Sequence, residues 1–535
     1  MRGLRKLGRM FIWMVVCLAV LLPGCGENDE SRERKRPADE LILAIGGEPE
    51  DGFDPTAGWG RYGSPLFQST LLKRDHRMNI GYDLAVGYEI GNDGMTWTVR
   101  LRDDVKFSDG EPLTASDVVY TFETAARSGS TIDLSVLSSV RAADDHTVVF
   151  ELREPQSTFV SLLMSVGIVP EHAHDERYAS NPIGSGPYKL VQWDRGQQLI
   201  VEVNPYYYGE KPAFRRLTFL FLSEDAALAA AKAGQADVAA IPTAYARQSV
   251  RGMRLVNIQT VDNRGIMFPY VPAGNVTDEG LPIGNDVTSR LAVRRAVNKA
   301  IDRQALVEGI LEGYGKPAYT PNDELPWWNP ETVFADGDAE EARKIMAEDG
   351  WEDADGDGVM ERDGLRASFT LLYPSNDSTR QSLALTVAQM VKQAGIEVRV
   401  EGKSWAELAR LMHANAVLFG WGSHDPLEMY MLYSSKYRGV DMFNAGYYSN
   451  PQVDAWMEKA LRATDEDEAN LYWRKAQWDG TAGFSYHGDA AWAWLVNIDH
   501  LYLVNEKLDI GQQGIHPHAH GWPITHNITE WRWLE

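Results

Sequence analysis

A chain of 535 residues is longer than one ordinary hydrophobic core can serve, so two or three subdomains are expected. Its 52 Lys+Arg stand against 76 Asp+Glu, a formal net charge of -24. That balance argues against nucleic acid and polyanions as partners and suits capture of neutral or cationic solutes.

Arg2, Arg5, Lys6 and Arg9 open the chain, and Phe11 to Leu22 is almost unbroken hydrocarbon. The apolar run is shorter than the roughly 20 residues needed to cross a bilayer, so it reads as the core of an export signal. Leu22-Pro23-Gly24-Cys25 resembles the lipobox of bacterial lipoproteins. The resemblance implies that residues 1–24 are a lipoprotein signal peptide, cleaved before Cys25, with lipid on the Cys25 thiol and amine. An ordinary signal peptide cut nearby is the alternative. The mature protein is then exported, a periplasmic or cell-surface lipoprotein held to its membrane through Cys25. Cys17 leaves with the signal and Cys25 is consumed by lipid, so no disulfide and no thiolate for catalysis or zinc remains. Residues 25–40 mix acids with Arg32, Arg34, Lys35 and Arg36 and read as a flexible tether.

The folded body starts near Leu41, where Leu41 to Ile45 reads as a buried strand. Thr96 to Leu101 alternates like a half-buried strand, and Phe107-Ser108-Asp109-Gly110 reads as a turn. Thr114 and Asp117 have capping-box spacing and predict a helix through Val118, Val119, Tyr120 and Phe122. Leu291, Val293, Val297 and Ile301 form a helical stripe over 289–300. Further helices are predicted from about Gln304 to Leu311, stopping at Gly313, and from Glu340 to Glu348, ending at Gly350. No internal repeat is evident.

Four stretches resemble the family 5 extracellular solute-binding proteins, which serve ABC importers for peptides and nickel. They are Phe107-Ser-Asp-Gly-Glu-Pro-Leu-Thr-Ala-Ser-Asp-Val-Val-Tyr, Pro182-Ile-Gly-Ser-Gly-Pro-Tyr-Lys-Leu, Val293-Arg-Arg-Ala-Val-Asn-Lys-Ala-Ile-Asp-Arg with Gly315-Lys-Pro-Ala, and Asn450-Pro-Gln-Val-Asp with Ala460-Leu. The resemblance implies an α/β fold, a two-lobed periplasmic-binding-protein clamshell (type II-like) with an extra subdomain in the first lobe. By that pattern lobe one takes 41–267 plus 495–535, with the extra subdomain at about 81–177, and lobe two takes 268–494. It also implies a monomer that closes about a hinge on its solute and delivers it to a permease and ATPase complex. A short peptide or peptide-like compound is the first expectation for the solute. A nickel or nickel-chelate binder of the same family is the alternative, and a ligand sensor for a membrane receptor is the alternative of another class.

Phe419 to Pro426 falls where this family lines its cleft, and Trp421 is the aromatic expected there. Members that bind peptides hold the amino group with an Asp three residues after the equivalent Trp. Here that place is His424, with Asp425 one step later. Nickel-chelate binders carry an aromatic and Asp-Pro in this loop; His424 stands in the aromatic's place, before Asp425-Pro426. Their arginine for chelator carboxylates belongs just before Ile168, where Met164 to Gly167 supplies none. Trp59 and Tyr447, in loop-like contexts, are further candidates for the cleft wall.

His516, His518 and His520 alternate, so in an extended chain they face one way and offer imidazoles to nickel, copper or zinc. Asp353, Asp355 and Asp357 with Gly358 copy positions one, three, five and six of an EF-hand loop, a candidate structural calcium site. The copy departs at position twelve, Gly364, with Glu361 and Asp363 the nearest substitutes. No cofactor is required by the transport reading; nickel enters only as part of a ligand. The chain has no Gly-x-Ser-x-Gly, His-Glu-x-x-His or phosphate-loop motif, so an enzyme is not expected.

Overall fold

Leu41 and Leu43 lie on one face of the strand Glu40–Ala44 and are fully buried, which places this short apolar strand inside a sheet rather than at its edge. It pairs in parallel with Arg216–Leu220 on one side and Val238–Ile241 on the other. The full sheet has seven strands, in the order Met253–Ile258, His500–Asn505, Val238–Ile241, Glu40–Ala44, Arg216–Leu220, Gln198–Val203 and Tyr188–Asp194. The computed structural model describes residues 37–534 except 64, 129–131, 519 and 520, so the expected signal peptide, Cys25, nearly all of the tether and His520 lie outside the described residues.

A second sheet of six strands runs Gly315–Pro317, Trp492–Ile498, Asn263–Met267, Ala416–Phe419, Ser368–Pro374 and Glu397–Lys403. Successive side chains of its inner strands serve opposite cores, as the two-residue strand period requires. Ile266, Leu371 and Leu418 enter the core shared with the helix Leu291–Ala300. Met267, Leu372, Val417 and Phe419 enter the one shared with Trp473 and the helix Pro451–Arg462. A sheet covered on both faces explains the near-continuous apolar runs Ala416–Phe419 and Trp492–Val496. A third sheet, Ala85–Ile90, Thr96–Leu101, Thr147–Leu152 and Leu137–Asp144, packs on the helix Ala115–Arg127 and forms the extra subdomain. The result is the two-lobed α/β clamshell expected, with the seven- and six-stranded sheets as the lobe centres.

Local chemistry sets the helix ends. Thr114 precedes the helix Ala115–Arg127, and its N–H donates to Asp117 Oδ2 at 2.9 Å. Asp117 Oδ1 also accepts from Glu171 N–H, so the cap ties the helix to the following segment. In Leu291–Ala300 the buried apolar positions are Val293, Ala296, Val297 and Ala300. Leu291, expected in that stripe, is 37 % exposed. Two residues before Val293 it sits about 200° round the helix from the core face. The helices Arg303–Ile310 and Ala339–Glu348 end at Gly313 and Gly350, both with positive φ.

The chain changes sheet at two adjacent places. Residues 259–262 join Met253–Ile258 to Asn263–Met267, and Asp499 alone separates Trp492–Ile498 from His500–Asn505. The expected lobe limits were 267 and 495. The crossings are hydrogen-bonded to each other, Ile498 N–H to Asp262 C=O at 2.8 Å and the Thr260 hydroxyl to Ile498 C=O at 2.7 Å. The C-terminal segment lies along them, with Val261 N–H donating to His516 C=O and His516 N–H to Gln259 C=O.

Candidate ligand-binding cleft

The loop after the strand Ala416–Phe419 is forced against the crossing at 259–262. Asn263 and Trp421 exchange backbone and side-chain hydrogen bonds: Asn263 N–H donates to Trp421 C=O, and Trp421 N–H to Asn263 Oδ1, each at 3.0 Å. Gly422 follows at φ +146, and a Cβ there would meet the Val261 carbonyl oxygen at 2.3 Å, so only glycine permits the approach. His518 N–H closes the contact on Gly422 C=O at 2.7 Å.

The loop then turns into the helix Leu427–Tyr433. Asp425 Oδ1 accepts from Leu427 N–H at 2.9 Å, doing the work of a cap where Pro426 has no suitable side chain. Glu428, one turn on, folds back so that Oε1 accepts from Gly422 N–H at 3.0 Å and Ser423 N–H at 3.1 Å. His424, Asp425 and Glu428 thereby line a cavity of about 990 Å³. The opposite walls come from residues 60–63, from 68–78, from Ser161 to Ser165, and from the C-terminal stretches 512–517 and 523–530. Tyr437 and Phe443 supply aromatic surface.

Burial dominates the electrostatics of this wall. It pushes Asp425 up to about 6, against the opposing pull of Leu427 N–H, Arg74 and Arg61. It pushes Glu428 up to about 7, opposed by Arg61 and the two loop N–H groups. It holds His424 neutral, with its pKa down at about 3, and the positive Arg74 and His526 add to that. His424 Nε2 is buried with no hydrogen-bond partner. The Arg74 guanidinium donates to Met78 C=O at 2.8 Å and stands 4.0 Å from Glu466.

Of the residues singled out from sequence, the structure brings His424 and Asp425 together in the cavity wall. Trp421 lies behind it, stacked on Phe443 at 5.1 Å between centroids. Trp59 packs between Phe53 and Trp522, its indole N–H donating to Pro65 C=O at 2.8 Å. Tyr447 meets His413 edge-on. Neither Trp59 nor Tyr447 lines the cavity. Met164 and Ser165 do line it, in the stretch where no arginine was found. Arg61, Arg74, Gln68, Ser161 and Glu428 were not picked out. Glu428 alone left a sequence trace, as an acid three residues after Asp425, but in a first helical turn that reads as ordinary dipole compensation.

The metal candidates separate. His516 Nδ1 is 3.1 Å from His500 Nδ1, and its Nε2 is 3.4 Å from Gln513 Oε1. His518 Nδ1 is bonded to the buried Asp262, which Arg264 also holds at 2.5 Å. Asp353, Asp355 and Glu361 bring oxygens within 4.8 Å of one another, a spacing that fits a hard cation with oxygen ligands. Asp357 turns away to pair with Arg366 at 2.7 Å.

Comparison with known proteins places the chain among transport receptors. Residues 79–442 match the pattern of the bacterial extracellular solute-binding proteins, family 5. Protein XP55 of Streptomyces lividans is 35 % identical over 488 residues, covering 88 % of this chain and 86 % of its own. The oligopeptide-binding protein AppA of Bacillus subtilis is 27 % identical over 509 residues, 87 % of this chain and 89 % of its own. The structure of NikZ from Campylobacter jejuni in complex with Ni(L-His) superposes with a TM-score of 0.75 at 25 % identity, covering 93 % of this chain and all of that one.

Proposed function

The chain belongs to the bacterial extracellular solute-binding proteins of family 5, and from that premise we propose that it captures a short peptide or peptide-like solute between its lobes and delivers it to an ABC permease and ATPase. One observation carries the reading: Asp425, a half-buried carboxylate with no ion-pair partner among the described residues, faces a large cavity whose lining comes from both the 60–78 stretch and the loop after Ala416–Phe419. An ammonium group is the natural partner for such a carboxylate, and a peptide offers one at its first residue. The relative AppA is named for oligopeptide binding. Closure follows because the solute touches both lobes and so favours the closed form by the difference in its contacts. Members of this family bind solutes rather than transform them, and nothing in the proposed cycle calls for covalent chemistry.

Two crossings at 259–262 and Asp499, braced by residues 515–518, are the proposed hinge and lobe boundaries. Export and attachment through a lipid on Cys25 belong to the same proposal, and they put the cleft on the outer side of the membrane that carries the permease. A monomer suffices for this cycle.

Nickel chelation is the second reading, favoured by His424 Nε2, an unpartnered imidazole nitrogen in the cleft, and by the likeness to NikZ. A structural calcium held by Asp353, Asp355 and Glu361 is proposed beside either reading, on the strength of their converging oxygens. Thermal unfolding of the metal-stripped protein tests all three, because a ligand of the native state raises the melting temperature by mass action. A rise with di- to pentapeptides alone supports peptide import. A rise that needs nickel with free histidine, and is lost in His424→Ala, supports the chelate. A rise with calcium that is lost in Asp355→Asn supports the acidic turn. If peptides and nickel-histidine both leave the melting temperature unchanged, the solute class is wrong and the sensor reading moves forward.

A further inference from the structure

We propose that Glu428 is a second cation subsite in the cleft, so that the preferred solute carries two cationic nitrogens, one for Asp425 and one for Glu428. This rests on the cleft being the solute site.

The two carboxylates stand one helical turn apart, with Glu428 N–H donating to Asp425 C=O at 3.2 Å, so they occupy neighbouring positions on one wall of the same cavity. Glu428 is only 7 % exposed. Its Oε1 is pinned by Gly422 and Ser423 N–H, which leaves Oε2 for a partner from outside the protein. A buried carboxylate is ordinarily matched by a cation at ion-pair distance. Neither Asp425 nor Glu428 has one within 4 Å among the described residues. Arg61, which acts on both from a distance, lies over the Tyr62 ring, and Arg74, which acts on Asp425, is turned to Met78 and Glu466.

An independent group points the same way. Ser161, 7 % exposed, lines the cavity with its hydroxyl at the Asp425 carboxylate. The Gln68 carbonyl oxygen, in a side chain 2 % exposed on the same cavity, has no partner among the described residues. Its amide nitrogen is already committed to Phe53 C=O and the Tyr178 hydroxyl, so only an acceptor is on offer. Two carboxylates on one wall, with a hydroxyl and an amide oxygen on the walls opposite, line a cavity rich in acceptors, and no cation lies within 4 Å of either carboxylate among the described residues. Donors in excess, as two ammonium groups provide, are what such a cavity takes. A peptide beginning with a basic residue supplies them as α-ammonium and side chain; a free diamine or polyamine supplies them at its two ends.

Isothermal titration of the purified protein at pH 7.5 tests the assignment with Lys-Ala-Ala, its uncharged isostere norleucyl-Ala-Ala, and 1,5-diaminopentane, on wild type and Glu428→Gln. Glutamine keeps the oxygen that Gly422 and Ser423 hold and removes only the charge. The lysyl peptide is expected to bind at least tenfold more tightly than the norleucyl peptide, and Glu428→Gln to erase that preference while leaving the norleucyl affinity within about twofold. Tight binding of the diamine that Glu428→Gln abolishes identifies the source as a free amine and supports the subsite equally. Equal affinities of the two peptides in wild type, or a lysine preference that survives in Glu428→Gln, overturn the subsite while leaving peptide capture intact. No binding of either peptide or the diamine overturns both.

Discussion

Asp425, Glu428 and His424 occupy one wall, yet burial moves their charges in opposite directions along the pH scale. Glu428 holds its proton more tightly folded than unfolded, so its contribution favours the native state fully below its ordinary value of about 4.5 and is lost as pH rises through about 7. Asp425 behaves alike up to about 6, and the pair titrates together, with Arg61, Arg74 and Tyr62 the other ionisable groups facing it. His424 has a depressed pKa, so its contribution is present above 6.5 and is lost as pH falls toward 3. Between pH 6.5 and 8 only the carboxylates change. Ligand-free wild type is therefore expected to lose stability across that window, and Glu428→Gln to flatten the slope and gain on the order of 2 kcal/mol at pH 8. Urea unfolding at half-unit steps of pH reads this directly; a slope unchanged in Glu428→Gln removes the residue from the account. His424→Asn is expected to lessen the loss of stability between pH 6.5 and 4, measured the same way.

At the scale of the element, the charged residues of the Val293–Arg303 stretch serve structure. Arg303 is wholly buried and donates to the carbonyls of Ala318, Trp494 and Asn298 while pairing with Asp336 at 2.8 Å. It thus staples the turn between two helices to the strand Trp492–Ile498. Arg303→Ala strips these acceptors and Asn298 Oδ1 of their donor at once and is expected to cost about 3–5 kcal/mol, seen as a shift in the denaturant midpoint. A milder test is Asn450, whose side chain caps the helix Pro451–Arg462 by accepting from Gln452 and Val453 N–H and ties it to Asp489. Asn450→Ala is expected to cost about 1–2 kcal/mol without touching solute affinity, since neither Asn450 nor any residue of the helix lines the cavity. Element positions were legible in this region because caps and glycine stops are local: Gly313 and Gly350 end helices where their positive φ allows.

For the whole molecule the decisive feature is the braid of three segments between the lobes. Asp262 sits at its centre, 3 % exposed, held by Arg264, His518 and His500. The Arg264 guanidinium and the hydrogen bonds of the two imidazoles keep its carboxyl well below the usual range despite burial, so its contribution is present above about pH 4 and is lost as pH falls below that. Asp262→Asn leaves Arg264 buried without its counter-charge and is expected to cost about 3–5 kcal/mol at pH 7, with the difference from wild type shrinking in acid. Gly422→Ala tests the close approach of the cleft loop to this braid. The added Cβ cannot coexist with the Val261 carbonyl, so both lower stability and weaker solute binding are expected. Unchanged binding would separate the loop from closure.

Sequence by itself determined the lobed α/β class, the order of the elements and the loop that carries His424 and Asp425. Those features depend on periodicity, caps, glycine stops and motif spacing, all of which act over a few residues. Only the tertiary structure decided which side chains share a cavity. Gln68, Ser161 and Glu428 converge from segments far apart in the chain, and nothing local marks a glutamine or a serine as part of a cavity wall. The same holds for the histidines: alternation put His516 and His518 on one face, but their partners, His500 and Asp262, come from the two lobe crossings. Trp59 and Tyr447 were drawn to the cleft by their chemistry and packed elsewhere by their neighbours. Burial and its effect on charge are properties of the assembled walls, and the chain acquires them only when both lobes are in place.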